Sequence, residues 1–300
     1  SAPWQTLEHS VAALADGDTL TVHAGRYQPT ARLTVWAPNV TITRASGEAM
    51  PVIDGGLIPR SSVTTWLVRG SNVILDGLEV KNNTWNAIFL YGTTSGVIVR
   101  DCHLHHAGDD VILVLVGSTD WTISGCDIHD GGMTTLYNGQ GIDCQAWSGH
   151  IVGNRVHDCV GGITLKTGAS DCVVERNVVW NNTIKGWPDA EIVLGGISGT
   201  WDKKPNDEAY EGCRLVARNN LILPSAQGAG IGFVSTVDCA AYSNTIIQQP
   251  GARTPAIRVQ GLLHSWDGAL APVRGEDGRR SDKRRTDGNE RTRKDSVRVT

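Results

Sequence analysis

The sequence lacks any apolar run near the ~20 residues that a membrane-spanning helix needs. Charged residues are also scarce, at 19% of the chain, and the formal net charge at pH 7 is -4. Ten of the 27 Lys and Arg residues lie in residues 274–300, which leaves the preceding chain acidic. Because nucleic-acid binding requires a basic surface, this distribution argues against a nucleic-acid ligand. We therefore expect neither a membrane nor a nucleic acid as the partner.

The cysteines lack the spacing of a zinc site, and their density is too low for a disulfide-stapled miniprotein. We therefore expect most of them to fill the interior. They are Cys102, Cys126, Cys144, Cys159, Cys172, Cys213 and Cys239.

Glycine is abundant, with 35 residues, and hydrophobic residues make up 40% of the chain. Asparagine is also frequent, and this combination favours many short strands and turns over helices. The composition therefore predicts an all-β protein.

One type of segment recurs along the chain, as in residues 97–105 (VIVRDCHLH) and 121–129 (WTISGCDIH). The copies are 23 to 28 residues apart, with one spacing of 42. A solenoid coil of three short strands needs about that length, and asparagines stacked from coil to coil can hydrogen-bond to one another. The aligned column is Leu78, Cys102, Cys126, Asn154, Asn177, Asn219 and Asn244, and the residues two positions later are Val80, Leu104, Ile128, Val156, Val179, Leu221 and Ile246.

A second strand type lies between these copies and predicts one long parallel sheet. The long spacing contains an insertion, residues 198–212, which we expect to be a surface loop. Residues 4–15 have the apolar spacing of a helix, which would cap the open end of the core. The second strand type starts at Ala87, Val111, Gly141, Gly162, Glu191, Gly230 and Ala256, each followed at once by isoleucine.

Residues 17–27 (GDTLTVHAGRY) and 52–56 (VIDGG) resemble the entry to pectate-lyase-like β-helix proteins. The resemblance covers roughly residues 4–261 and implies an all-β fold, a right-handed parallel β-helix with an N-terminal capping helix. That superfamily contains polysaccharide lyases, glycoside hydrolases, epimerases, phage tailspikes and adhesins, so the resemblance indicates the fold far better than the reaction. We predict one β-helix domain, residues 1–261, and a basic, disordered tail, residues 262–300.

In residues 162–168 (GITLKTG), the alternation of a strand directs Lys166 outward onto the floor of a lateral groove. Lys166 lies eleven residues before Asn177, and Asp143 lies eleven residues before Asn154. This count predicts that Lys166 and Asp143 share one column on adjacent coils, with backbones about 5 Å apart.

Two more carboxylates, Asp109 and Asp110, enter the strand one coil before Asp143. β-Elimination from a uronic acid needs a base at C5 and cations that neutralise the adjacent carboxylate. We predict Lys166 and Asp143 as catalytic residues, with Lys166 as the base. Because Asp143 would raise the pKa of Lys166, the prediction includes a Ca²⁺ held by Asp109, Asp110 and Asp143 that offsets this charge.

The segment 162–168 also resembles the part of alginate and chondroitin lyases that carries a catalytic basic residue. Those relatives have arginine at the position of Lys166, and a separate lysine and glutamates one coil earlier, where this chain has Gln140 and Asp143. The Asp-Asp-Gly-Phe-Asp calcium motif of other lyases is absent. These departures leave other reactions open.

An inverting glycoside hydrolase is the alternative enzyme, since residues 108–110 resemble the paired aspartates of polygalacturonases. Such a reaction needs an acid and a base ~6.5–9.5 Å apart. The Gly-His-Gly and Arg-Ile-Lys motifs of that family are replaced here by residues 139–141 (GQG) and 164–166 (TLK).

A non-catalytic carbohydrate-binding solenoid is the third hypothesis. Tryptophan supplies 10 of the aromatic residues, and flat rings in loops beside the groove could stack on sugars. The predicted substrate-binding residues are Tyr91, Gln145, Trp147, Trp187 and Trp201.

Simpler interpretations exist for the same residues. Lys166 and Asp143 could form a solvated ion pair worth at most ~1 kcal/mol, and Asp109 and Asp110 could cap a turn. For the catalytic hypothesis we expect a secreted, monomeric protein that acts on an acidic polysaccharide.

Three histidines, His105, His129 and His157, end successive copies of the first segment type, and Trp180 follows in the same column. A residue type that recurs once per coil is typical of a stacking ladder on the surface. We therefore predict a ladder there and no metal site.

Overall fold

The computed structural model describes residues 4, 6–135, 138–182, 190–196, 210–225, 228–252, 254–260 and 297–299. Within them the chain winds as a parallel β-solenoid whose three main sheets contain ten, nine and nine strands. No described helix is long and apolar enough to cross a membrane. Substrate-binding candidates Trp187 and Trp201 lie outside the described residues.

The first half of the described chain contains one α-helix, two short 3₁₀ helices at Gly55–Leu57 and Arg60–Ser62, and fourteen strands. In chain order these are α1 (Leu7–Ala12), β1 (Thr19–Val22), β2 (Arg26–Tyr27), β3 (Leu33–Val35), β4 (Thr41–Arg44), β5 (Val52–Asp54), β6 (Thr64–Val68), β7 (Ile74–Asp76), β8 (Glu79–Lys81), β9 (Asn86–Leu90), β10 (Ile98–Arg100), β11 (His103–Ala107), β12 (Ile112–Val114), β13 (Thr122–Ser124) and β14 (Asp127–Gly131).

The second half continues the same order of strands. They are β15 (Gln140–Cys144), β16 (His150–Val152), β17 (Arg155–His157), β18 (Gly161–Leu165), β19 (Ala169–Ser170), β20 (Val173–Glu175), β21 (Val178–Trp180), β22 (Ala190–Gly195), β23 (Gly212–Cys213), β24 (Val216–Arg218), β25 (Leu221–Leu223), β26 (Ala229–Val234), β27 (Thr236–Val237), β28 (Cys239–Tyr242), β29 (Thr245–Ile246), β30 (Ile257–Gln260) and β31 (Val297–Val299).

Each coil contributes one strand to each main sheet. Sheet 1 has the order β1-β4-β7-β10-β13-β16-β20-β24-β28-β31, sheet 2 the order β2-β5-β8-β11-β14-β17-β21-β25-β29, and sheet 3 the order β3-β6-β9-β12-β15-β18-β22-β26-β30. A small fourth sheet, β19-β23-β27, adds a strand between those of sheet 3 and sheet 1 in three successive coils. Because neighbours in a sheet come from successive coils, the predicted solenoid is confirmed.

The isoleucines of the second strand type form one column through sheet 3, which confirms the predicted long sheet. All are in paired register from coil to coil, and they are Ile88, Ile112, Ile142, Ile163, Ile192, Ile231 and Ile257. Alternation along these strands sends such residues into a core that is continuous through the coils. All seven cysteines are buried as well, which confirms that they fill the interior.

Buried asparagines stack from coil to coil at the turn between sheets 1 and 2. The side-chain Oδ1 of Asn177 accepts hydrogen bonds from the backbone N and Nδ2 of Asn154, at 2.9 and 3.0 Å. Asn177 in turn donates from its backbone N and Nδ2 to Oδ1 of Asn220, both at 3.0 Å. Asn244 continues the ladder beyond Asn220. The predicted ladder is therefore present.

One rung of that ladder was predicted one residue too early. The sequence alignment chose Asn219, whereas the structure uses Asn220. Ile222, not Leu221, accordingly pairs with Val179. Asn219 has a φ of 55°, so it occupies a left-handed turn position that asparagine tolerates well. Two adjacent asparagines made the two positions indistinguishable by sequence.

The N-terminal helix caps the core as predicted, but it is shorter than residues 4–15. It covers Leu7–Ala12, because the Thr6 side chain accepts a hydrogen bond from His9 N and makes Thr6 the N-cap. Leu7 and Val11 are buried against the first coils. The six residues of α1 therefore close this end of the solenoid with about one and two-thirds helical turns.

The two regions predicted to be irregular are described only in part. Of the predicted loop 198–212, residues 198–209 lie outside the described residues, whereas Gly212 belongs to β23 and is not in a loop. The predicted tail 262–300 also lies outside them, apart from β31, which pairs in parallel with β28.

Candidate active site

The candidate site lies on the outer face of sheet 3, where β12, β15 and β18 are neighbours. Ile142 and Cys144 are fully buried in the core, so Asp143 between them points to the outer face. Its register partners on the adjacent coils are Leu113 and Thr164. The strand alternation predicted from the sequence is thus what directs Asp143 to the groove.

Lys166 does not share the column of Asp143, as the eleven-residue count predicted. Cys144 pairs with Leu165, so Lys166 is level with Gln145. His150 and Val173 are register partners in sheet 1. The count fails because Gln145 lies five residues before His150, whereas Lys166 lies seven residues before Val173. The turn after Gln145 is therefore shorter than the turn after Lys166.

The side chains of Lys166 and Asp143 nevertheless meet. Lys166 Nζ lies 3.1 Å from Asp143 Oδ2, and the two side chains are 19% and 3% exposed. Gln145 Nε2 donates to the same oxygen at 3.3 Å. Asp143 Oδ1 is buried and has no hydrogen-bond partner among the described residues. The pair is thus shielded from solvent, unlike a solvated surface pair.

This arrangement keeps Lys166 charged. The negative charge of Asp143 raises the pKa of Lys166 above its ordinary value, although burial acts in the opposite direction. Asp110 and Asp109 add to the increase. The sequence predicted that Asp143 would raise the pKa of Lys166 and so oppose its role as a base, and the structure has this effect.

Both aspartates of the preceding coil are buried and accept hydrogen bonds. Asp109 Oδ1 accepts from Asn138 Nδ2 at 2.7 Å. Asp110 Oδ1 accepts from the backbone N of Gln140, the first residue of β15, at 2.8 Å. Burial raises the pKa of Asp109, and burial together with the charge of Asp143 raises that of Asp110 well above its ordinary value.

The fit of these carboxylates to a Ca²⁺ is incomplete. Asp143 offers an unpaired oxygen, as a cation ligand would. Asp109 and Asp110, in contrast, each use one oxygen for a protein donor. Among the described residues, two groups of three candidate ligands lie within 4.8 Å of one another: three histidines, and two histidines with Asp130. Neither group includes these three carboxylates.

Glu211 holds the turn that follows Lys166, a role that no sequence pattern predicted. Its Oε2 accepts a hydrogen bond from the backbone N of Thr167 at 2.8 Å, and its carbonyl accepts one from Gly168 N at 2.9 Å. Glu211 is the second-last residue of the predicted insertion 198–212, so only the three-dimensional stacking of the coils places it here.

The position of Lys166 defines a column along the groove, here called the groove column. Each of its residues comes directly after the last paired residue of a strand of sheet 3. They are Arg69, Tyr91, Leu115, Gln145 and Lys166. Two of the predicted substrate-binding residues, Tyr91 and Gln145, therefore lie in line with Lys166. Trp147 is half-buried two residues after Gln145, where it forms an isolated parallel β-bridge with Ser170.

The far end of the groove column has an arginine among aromatic rings. The Arg69 guanidinium lies 4.0 Å from the centre of the Tyr91 ring and 4.9 Å from that of Trp36. Trp36 is 68% exposed and Tyr91 is 37% exposed. Sequence reasoning missed Arg69 and Trp36, because the repeat could be aligned only from Leu78 onward.

The histidine ladder predicted on the first segment type lies on the outer face of sheet 2 and is confirmed. The His129 ring stacks on those of His105 and His157, with centroids 4.8 and 4.9 Å away, and His157 stacks on Trp180 at 4.1 Å. His103 stacks beside His105 at 4.2 Å. Burial lowers the pKa of His103 and lowers that of His105 to about 4.

Comparisons with known proteins agree with this architecture. The family model described as the right-handed β-helix region matches residues 39–194. Among solved structures, a rhamnogalacturonan lyase is 14% identical with a TM-score of 0.64, covering 90% of this chain and 85% of that one. The pectate lyase Pel9A is 14% identical with a TM-score of 0.60, covering 88% and 75%.

A third similar structure is the alginate lyase from Paenibacillus sp. str. FPU-7, 15% identical with a TM-score of 0.53, covering 85% of this chain and 95% of that one. At these identities the similarity shows a common fold. No curated protein matches the sequence.

Proposed function

Because the chain belongs to the right-handed β-helix family, we propose that it acts on an acidic polysaccharide bound along the groove column. The observation that carries the proposal is the shielded contact of Lys166 with Asp143, in line with Tyr91 and Gln145. Three similar solved structures are named as lyases of rhamnogalacturonan, pectate and alginate, which supports a polysaccharide substrate.

For the reaction we propose β-elimination, with Lys166 as the base. The base removes the proton at C5 of a uronate, the bond from C4 to the glycosidic oxygen breaks, and a C4–C5 double bond forms. The leaving oxygen takes up a proton from the solvent. Lys166 must first lose its own proton, so the rate should increase at alkaline pH.

Ca²⁺ remains part of the proposal as an aid to binding. The unpaired Oδ1 of Asp143 is the oxygen best placed to hold it, with Asp109 and Asp110 as further ligands. A bound Ca²⁺ would supply positive charge that screens the uronate carboxylate and Asp143. Activity with added Ca²⁺ and with a chelator tests this role.

The test is the ultraviolet absorbance of the new double bond while the protein is incubated with pectate, alginate or chondroitin, with and without Ca²⁺. Lys166→Ala should abolish the increase. Lys81→Ala is a matched control, because Lys81 also pairs with a carboxylate, Glu79, but lies on sheet 2. If the Lys166 variant kept its activity, Lys166 would not be the base.

The variant Asp143→Asn distinguishes two roles of Lys166: the base of the reaction, or a positive charge that only neutralises the substrate carboxylate. Removing the carboxylate removes the largest cause of the raised Lys166 pKa. If Lys166 is the base, the pH at which the rate increases should therefore move to lower values. An unchanged pH profile with reduced rate would indicate that Lys166 only neutralises the substrate carboxylate.

Inverting hydrolysis is the second candidate, and the raised pKa values of Asp109 and Asp110 favour it. A carboxyl group whose pKa is raised by burial is suited to serve as the general acid of a glycoside hydrolase. New reducing ends without new ultraviolet absorbance would establish hydrolysis. Substrate binding without either product would instead favour the non-catalytic solenoid.

We also propose that the protein is secreted and monomeric. Acidic polysaccharides of these kinds are outside the cell, and the groove column lies on the outer face of a single chain's sheet. Light scattering of the purified protein tests the oligomeric state, and fractionation of the native host tests secretion.

A further inference from the structure

A cluster of imidazoles lies on the outer face of sheet 2, away from the groove on sheet 3. We use the name histidine cluster for His103, His105, His106 and His129. His103, His105 and His106 are on β11, and His129 is on the neighbouring strand β14. The cluster therefore joins two successive coils.

Nitrogen atoms of the histidine cluster converge closely. Nε2 of His103 and Nε2 of His129 are 2.8 Å apart, and Nδ1 of His105 is 2.6 Å from Nδ1 of His106. One nitrogen from each of His103, His105 and His129 lies within 4.8 Å of the other two. Both short distances are those of hydrogen bonds in which one imidazole donates and the other accepts, so lone pairs of ring nitrogens are already directed into the cluster.

Carboxylates hold the opposite edges of two of these rings. Asp130 Oδ2 lies 2.7 Å from Nδ1 of His129, so Nδ1 can donate there and leave the lone pair of Nε2 directed at His103. Glu79 Oε1 lies 3.4 Å from Nε2 of His105. A carboxylate on the far nitrogen is the usual way in which proteins orient a metal-binding histidine.

We propose that His103, His105 and His129 bind one transition-metal ion of the Zn²⁺ type, with Asp130 as a positioning residue. Imidazole suits Zn²⁺, and Ca²⁺ prefers oxygen ligands. Two nitrogens at ~2.1 Å from a tetrahedral Zn²⁺ are ~3.4 Å apart, so His103 and His129 need to separate by only about 0.6 Å. The ion would bridge β11 and β14.

This site was not foreseen from the sequence column of His105, His129 and His157. That column contains one histidine per coil, as a stacking ladder does. His103 lies two residues before His105 on the same face of β11, and its contact with His129 crosses between coils. The metal-binding geometry therefore comes from a second column that the repeat alignment did not consider.

The first test is equilibrium dialysis of the full chain against Zn²⁺, with elemental analysis and thermal unfolding. One ion per chain should bind and raise the Tm, since a ligand of the folded state stabilises it. His103→Gln and His129→Gln should abolish stoichiometric binding, and Asp130→Asn should weaken it about 10- to 100-fold. Circular dichroism establishes that each variant is folded.

His157→Gln is the matched control, because His157 stacks on His129 but does not belong to the proposed ligand set. It should bind Zn²⁺ like the unaltered chain. Absence of bound Zn²⁺, or binding that survives both His103→Gln and His129→Gln, would overturn the proposal. Loss of binding in His106→Gln with retention in His103→Gln would also overturn it, in favour of a group of His106, His129 and Asp130.

Discussion

At the scale of single residues, the site depends on charges that the fold has removed from water. Asp143 illustrates this, because strand alternation predicted its outward direction while the length of the next turn determined its neighbour. Its contact with Lys166 could be predicted as a pairing of charges. The register of Asp143 relative to Lys166 could not be predicted, since turn lengths vary from coil to coil without a clear sequence signal.

Glu191 is a second buried ionisable group, and its raised pKa lets us predict how the free energy of unfolding depends on pH. Its side chain is 0% exposed, and burial raises its pKa to about 7 from an ordinary 4.5. Below about pH 4.5 the group is protonated in both the folded and unfolded states. As pH rises towards 7 the unfolded chain ionises first, so the free energy of unfolding should fall, by roughly 3 kcal/mol in total.

Glu191→Gln should remove most of this pH dependence, because glutamine does not ionise. The measurement is urea-induced unfolding at pH 4.5 and pH 8. Glu175→Gln is a contrasting control: burial acts to raise the pKa of Glu175, but Arg218 holds it below its ordinary value. That variant should lose stability mainly at the higher pH. An equal slope in the unaltered chain and the Glu191 variant would contradict the prediction.

At the scale of elements, the asparagine ladder ties the turns of successive coils together. Asn177 is 1% exposed and bonds to neighbours on both sides, with Nδ2 also donating to Ile151 O at 3.0 Å. Asn177→Ala should lower the free energy of unfolding by roughly 3 kcal/mol or more, because buried polar groups lose their partners. Chemical denaturation measures the change.

Asn244→Ala provides the comparison within the same ladder. Asn244 is only half-buried and forms the last described rung, with Asn220 as its ladder partner. Its substitution should therefore cost clearly less than that of Asn177. Equal losses would show that the ladder does not act as a buried network.

At the scale of the whole molecule, the sequence predicted the fold well because a solenoid is quasi-one-dimensional. Each coil contacts only its neighbours, so one repeat with an isoleucine column specifies sheet 3 throughout. Functional clusters are different, because they combine side chains from several coils at positions outside the repeat. Arg69 and His103 belong to such clusters, and neither was identified from the aligned columns.

The distance from Arg69 to Lys166 along the groove column indicates how long a substrate must be to contact both residues. Arg69 lies four coils from Lys166, which at ~4.8 Å per coil is roughly 19 Å. Within the described residues, Arg69 Nε is buried without a hydrogen-bond partner, and the guanidinium faces the exposed rings of Tyr91 and Trp36. It is suited to bind a substrate carboxylate far from the cleaved bond.

Arg69→Ala should therefore reduce kcat/KM for long oligosaccharides roughly 10- to 150-fold, since a hydrogen bond to a charged group contributes roughly 1.5–3 kcal/mol. Oligosaccharides too short to reach from Lys166 to Arg69 should be cleaved as before. Arg100→Ala is the matched control, because Arg100 pairs with Asp76 on the outer face of sheet 1. Equal losses for short and long substrates would mean that Arg69 supports the fold of the groove instead of a distant subsite, and the substrate would then have to be bound by residues nearer to Lys166.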